Sequence, residues 1–119
     1  MFKVKQATKL GYDIALLYDS INLERPNSTT RRGRVGKQIS NTLTTGSNIA
    51  VVVYGGYNMK HRIRKLTPKE CWRLMGFKDS DYDKAKELNR NSQLYKQAGN
   101  SIVVPVLEGI FKNLFFNFR

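Results

Sequence analysis

The run Ile49-Ala50-Val51-Val52-Val53-Tyr54 constrains the fold more than any other feature of the chain, because six consecutive β-branched, small and aromatic residues suit a pleated, half-buried strand. Gly55-Gly56 follows directly and predicts the positive φ values of a tight hairpin turn, so an antiparallel partner strand is expected on its far side. A glycine pair can also cradle phosphate, but that use needs a helix start behind it, and none is visible. Upstream, Val4 and Ala7, then Ile14 to Tyr18 and Ile21 to Leu23, form short apolar runs with weak alternation that suit strands or a hairpin around Gly11. Between them and the main strand, Glu24 through Thr30 are turn and loop formers and read as an exposed loop.

Two helix starts follow. Thr67-Pro68-Lys69-Glu70 places a hydroxyl at the N-cap, proline at N1 and glutamate at N3, so that hydroxyl and carboxylate each satisfy an orphan backbone donor; Gly76 ends that short helix. The second is expected to begin at Ser101 and run through Val106, Ile110 and Leu114, with Val103, Leu107 and Phe111 widening the apolar face and Pro105 in its first turn. Strands followed by helices make the chain α+β.

With 119 residues the chain is one modest unit or a part of something larger. Its 21 Lys and Arg against 9 Asp and Glu give a net charge of +12, which favours a polyanionic partner, nucleic acid first. The charge is concentrated: from Arg25 to Lys69 there is no Asp or Glu, whereas Arg25, Arg31, Arg32, Arg34, Lys37, Lys60, Arg62, Arg64, Lys65 and Lys69 are cationic. Between them Gln38, Ser40, Asn41, Thr42, Thr44, Thr45, Ser47 and Asn48 offer the short donors and acceptors that base readout needs. No apolar run approaches the roughly 20 residues of a membrane span, and Met1-Phe2-Lys3-Val4-Lys5 does not resemble a signal peptide, so no membrane partner and a cytoplasmic location are expected. One Cys71 and one His61 cannot supply the usual ligand count of a metal site, and His61 reads as a surface or phosphate-facing residue.

The run from Arg64 to Phe77, Arg-Lys-Leu-Thr-Pro-Lys-Glu-Cys-Trp-Arg-Leu-Met-Gly-Phe, is similar to the penultimate conserved block of the DNA cytosine-5 methyltransferases. Gln93 to Val106, with Gln97-Ala98-Gly99-Asn100-Ser101 at its centre, resembles that family's final block, and order and spacing agree as well. Gly33-Arg34-Val35 and Asn41-Thr42-Leu43-Thr44-Thr45 are similar, more loosely, to the target-recognition region that precedes these blocks. The resemblance covers about residues 30 to 114 and implies the carboxy-terminal part of such an enzyme. Residues 1-66 would be the basic, β-rich target-recognition region, 67-98 a helical segment, and 99-119 a return to a Rossmann-like methyltransferase domain on which the carboxy-terminal helix would pack.

The same resemblance assigns sites. By resemblance Arg34 and Thr42 fall where the family contacts backbone and target, and the basic, polar stretch around them adds Arg31, Arg32, Gln38, Thr44, Lys60 and Arg62 to the residues expected to meet duplex DNA. Arg64, Glu70 and Arg73 would brace the fold. Gly99, Asn100 and Ser101 would help close the S-adenosylmethionine pocket of the complete enzyme, a helix start there suiting the carboxylate of the cofactor. On local sequence alone, Gly-Asn-Ser is equally well a turn and a cap, and the family context favours the pocket. The family's Phe-x-Gly-x-Gly turn, Pro-Cys nucleophile and Glu-Asn-Val segment do not occur in this chain. Cys71, not preceded by proline, reads as a small buried hydrophobe, and Trp72 and Phe77 as core rather than as stacking partners of a base. No catalytic residue is therefore assigned, and the chain alone is expected neither to transfer methyl groups nor to bind S-adenosylmethionine. The partners implied are duplex DNA, an amino-terminal methyltransferase domain or subunit, and self-association through the apolar carboxy-terminal helix. The alternative is a free-standing DNA-binding or interaction remnant of such an enzyme.

Overall fold

The computed structural model describes residues 1–57 and 60–116. It divides into two units: Met1–Leu43 with Asn48–Leu66, and Thr44–Ser47 with Thr67–Arg119.

The first unit is built from strands. β1 (Phe2–Lys5) and β2 (Tyr12–Ala15) form an antiparallel hairpin in which Phe2 faces Ala15 and Lys5 faces Tyr12. Gly11 closes it at φ 76°, a conformation that glycine adopts without the steric penalty of a Cβ. A second, four-stranded antiparallel sheet has the order β4-β3-β5-β6, from β3 (Ser20–Asn22), β4 (Val35–Gly36), β5 (Ile49–Tyr54) and β6 (His61–Lys65). Val4 and Ala15 of the hairpin pack with Ile21 and Val52 of the sheet, and Phe2, Leu23 and Val35 close around them. The predicted main strand coincides with β5, and the loop from Arg25 to Thr30 is largely exposed. The turn after β5 differs from the expectation. Residues 55–60 separate the strands, Gly56 alone of the glycine pair has a positive φ (96°), and the Gly55 N–H donates to the Lys60 carbonyl. The hairpin is real but wider than a two-residue turn; Asn58 and Met59 lie outside the described residues.

The second unit is helical: α1 (Pro68–Leu74), α2 (Asp79–Leu88), α3 (Asn91–Asn100) and α4 (Val104–Phe115). The capping box at α1 forms as its residues dictate, with the Thr67 Oγ1 accepting from the Glu70 N–H at 3.3 Å and the Glu70 Oε2 accepting from the Thr67 N–H at 2.9 Å. Gly76, at φ 88°, ends the helix; its N–H reaches the Arg73 carbonyl and the Phe77 N–H reaches that of Trp72, the paired bonds of a Schellman cap. Arg73 grips Asp79 through two parallel bonds of 2.8 and 2.6 Å and so ties α1 to the first turn of α2. Trp72 is the packing centre. It is 9% exposed, its ring lies 5.0 Å from Phe77 and 5.7 Å from Tyr82, and its Nε1–H donates to the Leu94 carbonyl at 3.0 Å. Its expected core role is thereby realised.

The final helix departs from the expectation of a start at Ser101. Ser101 is the C-cap of α3, whose Leu94 and Ala98, one turn apart, are both buried; α4 begins only at Val104. Tertiary contact sets that start, because the Val104 N–H donates to the Met75 carbonyl at 2.9 Å and a Cβ on Gly76 would collide with the Pro105 ring. Beyond this anchor α4 contains no buried residue: Val106, Ile110, Phe111 and Leu114 are about half exposed, and Phe115 is 70% exposed. No helix among the described residues is long and apolar enough to cross a membrane.

Candidate nucleic-acid interface

The acid-free stretch leaves the sheet at β4 and runs through Lys37–Leu43 as a loop held from beneath by buried polar groups of the β2–β3 turn. Asp19 is 2% exposed, and its carboxylate accepts the Leu16 N–H at 2.9 Å and the Gln38 N–H at 3.0 Å, with the Lys37 ammonium 3.5 Å away. Burial pushes this carboxyl up, but the two amide donors and the lysine outweigh it and hold the group below the usual carboxylate range. Gln38 is thereby pinned at φ 54°, in the left-handed region that costs a non-glycine residue on the order of 1 kcal/mol or more, while its side chain stays exposed.

The neighbouring residues complete the brace. The Ser20 hydroxyl lies 2.6 Å from both the Ile39 carbonyl and the Asn41 Oδ1, its single proton serving either, and accepts the Asn41 N–H at 3.2 Å. The Asn41 Nδ2 donates to the carbonyls of Gly33 and Arg34 at 3.2 and 3.0 Å. Gly36 passes beneath; a Cβ there would stand 2.5 Å from the Ser20 Oγ and 2.6 Å from the Asn41 Oδ1, so only glycine fits. The loop is thus shaped by bonds within the chain itself.

The residues singled out by sequence do not form one cluster. Arg32, Gln38 and Thr42 are exposed around this loop, and Arg31 is half exposed with its Nη1 2.9 Å from Glu24 Oε2. Arg34 corrects the sequence reading. It is 3% exposed, and its guanidinium donates to the carbonyls of Lys5 (2.7 Å), Pro26 (3.1 Å) and Asn22 (2.9 and 3.1 Å), so in this conformation it is a brace rather than a surface cation. Asn41, expected among the base-reading donors, is likewise engaged internally. Lys60 and Arg62 are exposed on the β6 side of the sheet, three strand spacings or about 14 Å from the β4 edge. Thr44 belongs with the helical unit. Sequence reasoning missed Asp19, Ser20 and Gly36, whose partners lie too far along the chain to leave a local pattern.

In the helical unit Gly99 provides for a close approach, but of the chain itself: a Cβ there would lie 2.6 Å from the Thr45 nitrogen. No helix starts at Ser101: its N–H donates to the Ala98 carbonyl, and at the start of α4 the Val104 N–H donates to Met75 and Pro105 has no N–H. Asn100 and Ser101 instead border a cleft of about 540 Å³ together with Trp72, Phe77, Gln93 and Lys96. The buried Cys71 thiol is pushed up to about 11, by burial first and then by the charge of Glu70, so it is protonated at neutral pH and a poor nucleophile. No group of three or more metal-ligating side chains occurs among the described residues.

The comparisons agree with this reading of the motifs. An orphan methyltransferase of Bacillus phage rho11s, M.Rho11sI, is 48% identical over 92 residues, which are 76% of this chain and 18% of that protein. The type II methyltransferase M2.ScrFI of Lactococcus lactis subsp. cremoris is 61% identical over 56 residues, 47% of the chain and 16% of that protein. A DNA-cytosine methyltransferase of Escherichia coli K12 is 47% identical over 57 residues, 48% of the chain and 12% of that protein. The matched stretch is thus less than a fifth of the length of each of these three relatives. No solved structure matches the chain. The model of the C-5 cytosine-specific DNA methylases matches residues 3–115, nearly the whole sequence, and the chain therefore belongs to that family.

Proposed function

We propose that this chain is the DNA-recognition part of a DNA cytosine-5 methyltransferase, reading duplex DNA with the braced loop Lys37–Leu43 and the cations beside it. The observation that carries the reading is Gln38. An exposed amide side chain, held in a strained backbone conformation by a buried carboxylate, stands in the part of the chain that has no acidic residue. Gln, Thr and Arg are the side chains that hydrogen-bond to base edges in the major groove, and Arg31 and Arg32 supply phosphate contacts next to them.

Methyl transfer from S-adenosylmethionine to cytosine C5 belongs, on this reading, to an amino-terminal methyltransferase domain or subunit, and the exposed apolar side of α4 supports a partner surface of that kind. Only part of the cofactor assignment fits the geometry. Asn100 and Ser101 reach a cleft and would hold an edge of the cofactor by side-chain hydrogen bonds, whereas Gly99 is occupied with Thr44–Thr45 and the Ser101 N–H is taken by the Ala98 carbonyl.

The test is duplex binding by the chain as a function of salt. Each phosphate neutralised adds about 0.9 to the slope of log affinity against log salt, so replacing Arg31 and Arg32 by alanine should lower the slope by about two. Arg34→Ala should instead unfold or loosen the first unit, because it removes bonds to three carbonyls. An unchanged slope in the Arg31/Arg32 double variant would remove these residues from the interface. Restored methyl transfer on mixing with a matching amino-terminal half, reduced by Gln38→Ala, would establish the recognition role within an enzyme.

A further inference from the structure

Three rings stand in a row on the surface of the first unit, and the recognition loop does not account for them. Tyr18 meets Tyr54 edge-on at 6.4 Å, and Tyr54 lies 5.5 Å from His61, its cross-strand neighbour between β5 and β6. Tyr18 and Tyr54 are 58% and 54% exposed, and His61 is exposed too, so none of the three serves as core. Tyr18 is also strained. It occupies the third position of the turn closed by the Asp19 N–H to the Leu16 carbonyl, at φ 66°, where glycine or asparagine is the usual residue. Two bonds to β5 hold it there: the Tyr18 N–H donates to the Val52 carbonyl at 2.9 Å, and the Val52 N–H donates to that of Asp19 at 3.0 Å. A large aromatic residue kept in a left-handed turn without burial is positioned for what it displays.

We infer that the Tyr18–Tyr54–His61 row is a stacking platform for the unpaired bases of single-stranded DNA. The inference rests on the DNA-binding reading above, but it concerns a different surface and a different form of the ligand. Duplex DNA hides its base faces, whereas unpaired bases stack on exposed aromatic rings, with cations alongside to follow the backbone. Lys65 shares the His61 face of β6, and the chain from Arg25 to Lys69 carries no acidic residue. Asp19, next to Tyr18 in the chain, is buried and paired with Lys37. Net charge and ring exposure thus both favour a strand of nucleotides over an acidic or apolar surface.

Fluorescence anisotropy with a labelled oligothymidylate and with a labelled duplex, each titrated with the chain at several salt concentrations, tests the platform. Tyr18→Gly suits the positive φ, so its fold and melting temperature should be kept or slightly improved. Its affinity for the oligothymidylate should nevertheless fall about 5- to 150-fold, the range for losing one stacked base, with an unchanged salt slope because no charge is removed. Tyr54→Ala should act in the same direction. A Tyr18→Gly chain that binds oligothymidylate as the parent does, or a parent chain that binds duplex and not single strands, overturns the platform while leaving duplex recognition intact. A parent chain that binds neither overturns both readings.

Discussion

Replacing Asp19 by asparagine tests the central claim about the recognition loop, that a buried carboxylate pins Gln38 in place. The carboxylate presents one oxygen to the Leu16 N–H and the other to the Gln38 N–H. Asparagine keeps one acceptor and turns an amide NH2 towards the other donor, so one charge-assisted bond is lost and one buried N–H goes without a partner. Hydrogen bonds to charged groups contribute about 1.5–3 kcal/mol, and Asp19→Asn should therefore destabilise the first unit by about 2–3 kcal/mol, lowering its melting temperature by roughly 10 °C or more. Relaxation of Gln38 offsets part of that loss. Gln38→Gly alone should stabilise by about 0.4–1 kcal/mol, and in its background, with no strain left to release, the Asp19→Asn loss should grow by a similar amount, a coupling measurable by a double-mutant cycle in urea. The pH dependence has a definite sign. Because the folded carboxyl lies below its unfolded value of about 3.9, its contribution is present above that pH and disappears as the pH falls through the lower folded value. The difference between parent and variant should consequently be constant near neutrality and close below pH about 4. A destabilisation under about 0.5 kcal/mol, or a gap that stays open at acid pH, would refute the argument that Asp19 acts through its charge.

Two further outcomes follow from the helical unit. Gly99→Ala should destabilise it by about 1–3 kcal/mol in thermal unfolding, because the added methyl has backbone atoms of Thr44 and Thr45 in its way; a neutral substitution would show that this segment yields easily. Cys71 should resist a thiol reagent at pH 8 and react at the rate of local opening, since its folded thiol lies near 11 against about 8.5 unfolded; the preference for the thiol stabilises the fold below pH about 8.5 and fades as pH rises through 11, and fast labelling at pH 8 would contradict its burial.

Features closed within a few residues were legible in the amino-acid sequence. The capping box of Thr67 and Glu70, the stop at Gly76, the strand Ile49–Tyr54 and the hairpin at Gly11 all follow from local sterics and from donors satisfied within three or four positions, and the order of the two carboxy-terminal motifs already pointed to the family. Where the partner lies far along the chain, sequence alone misled or was silent. Arg34 counts as a surface cation until its guanidinium is seen reaching Lys5, 29 residues away. Ser101 looks like a helix start until α3 is seen to continue up to it, and the real start at Val104 is set by the Met75 carbonyl. The bonds from Asp19 to Gln38 and from Ser20 to Asn41 span 19 and 21 residues. No periodicity encodes them, because each depends on two segments that only the packing of the sheet brings within 3 Å. Family, charge and the local elements were thus set by the sequence itself; which polar residues face outward to meet a ligand, and which are consumed in holding them there, was decided by the tertiary structure, since a buried donor or acceptor must find its partner wherever the fold places one.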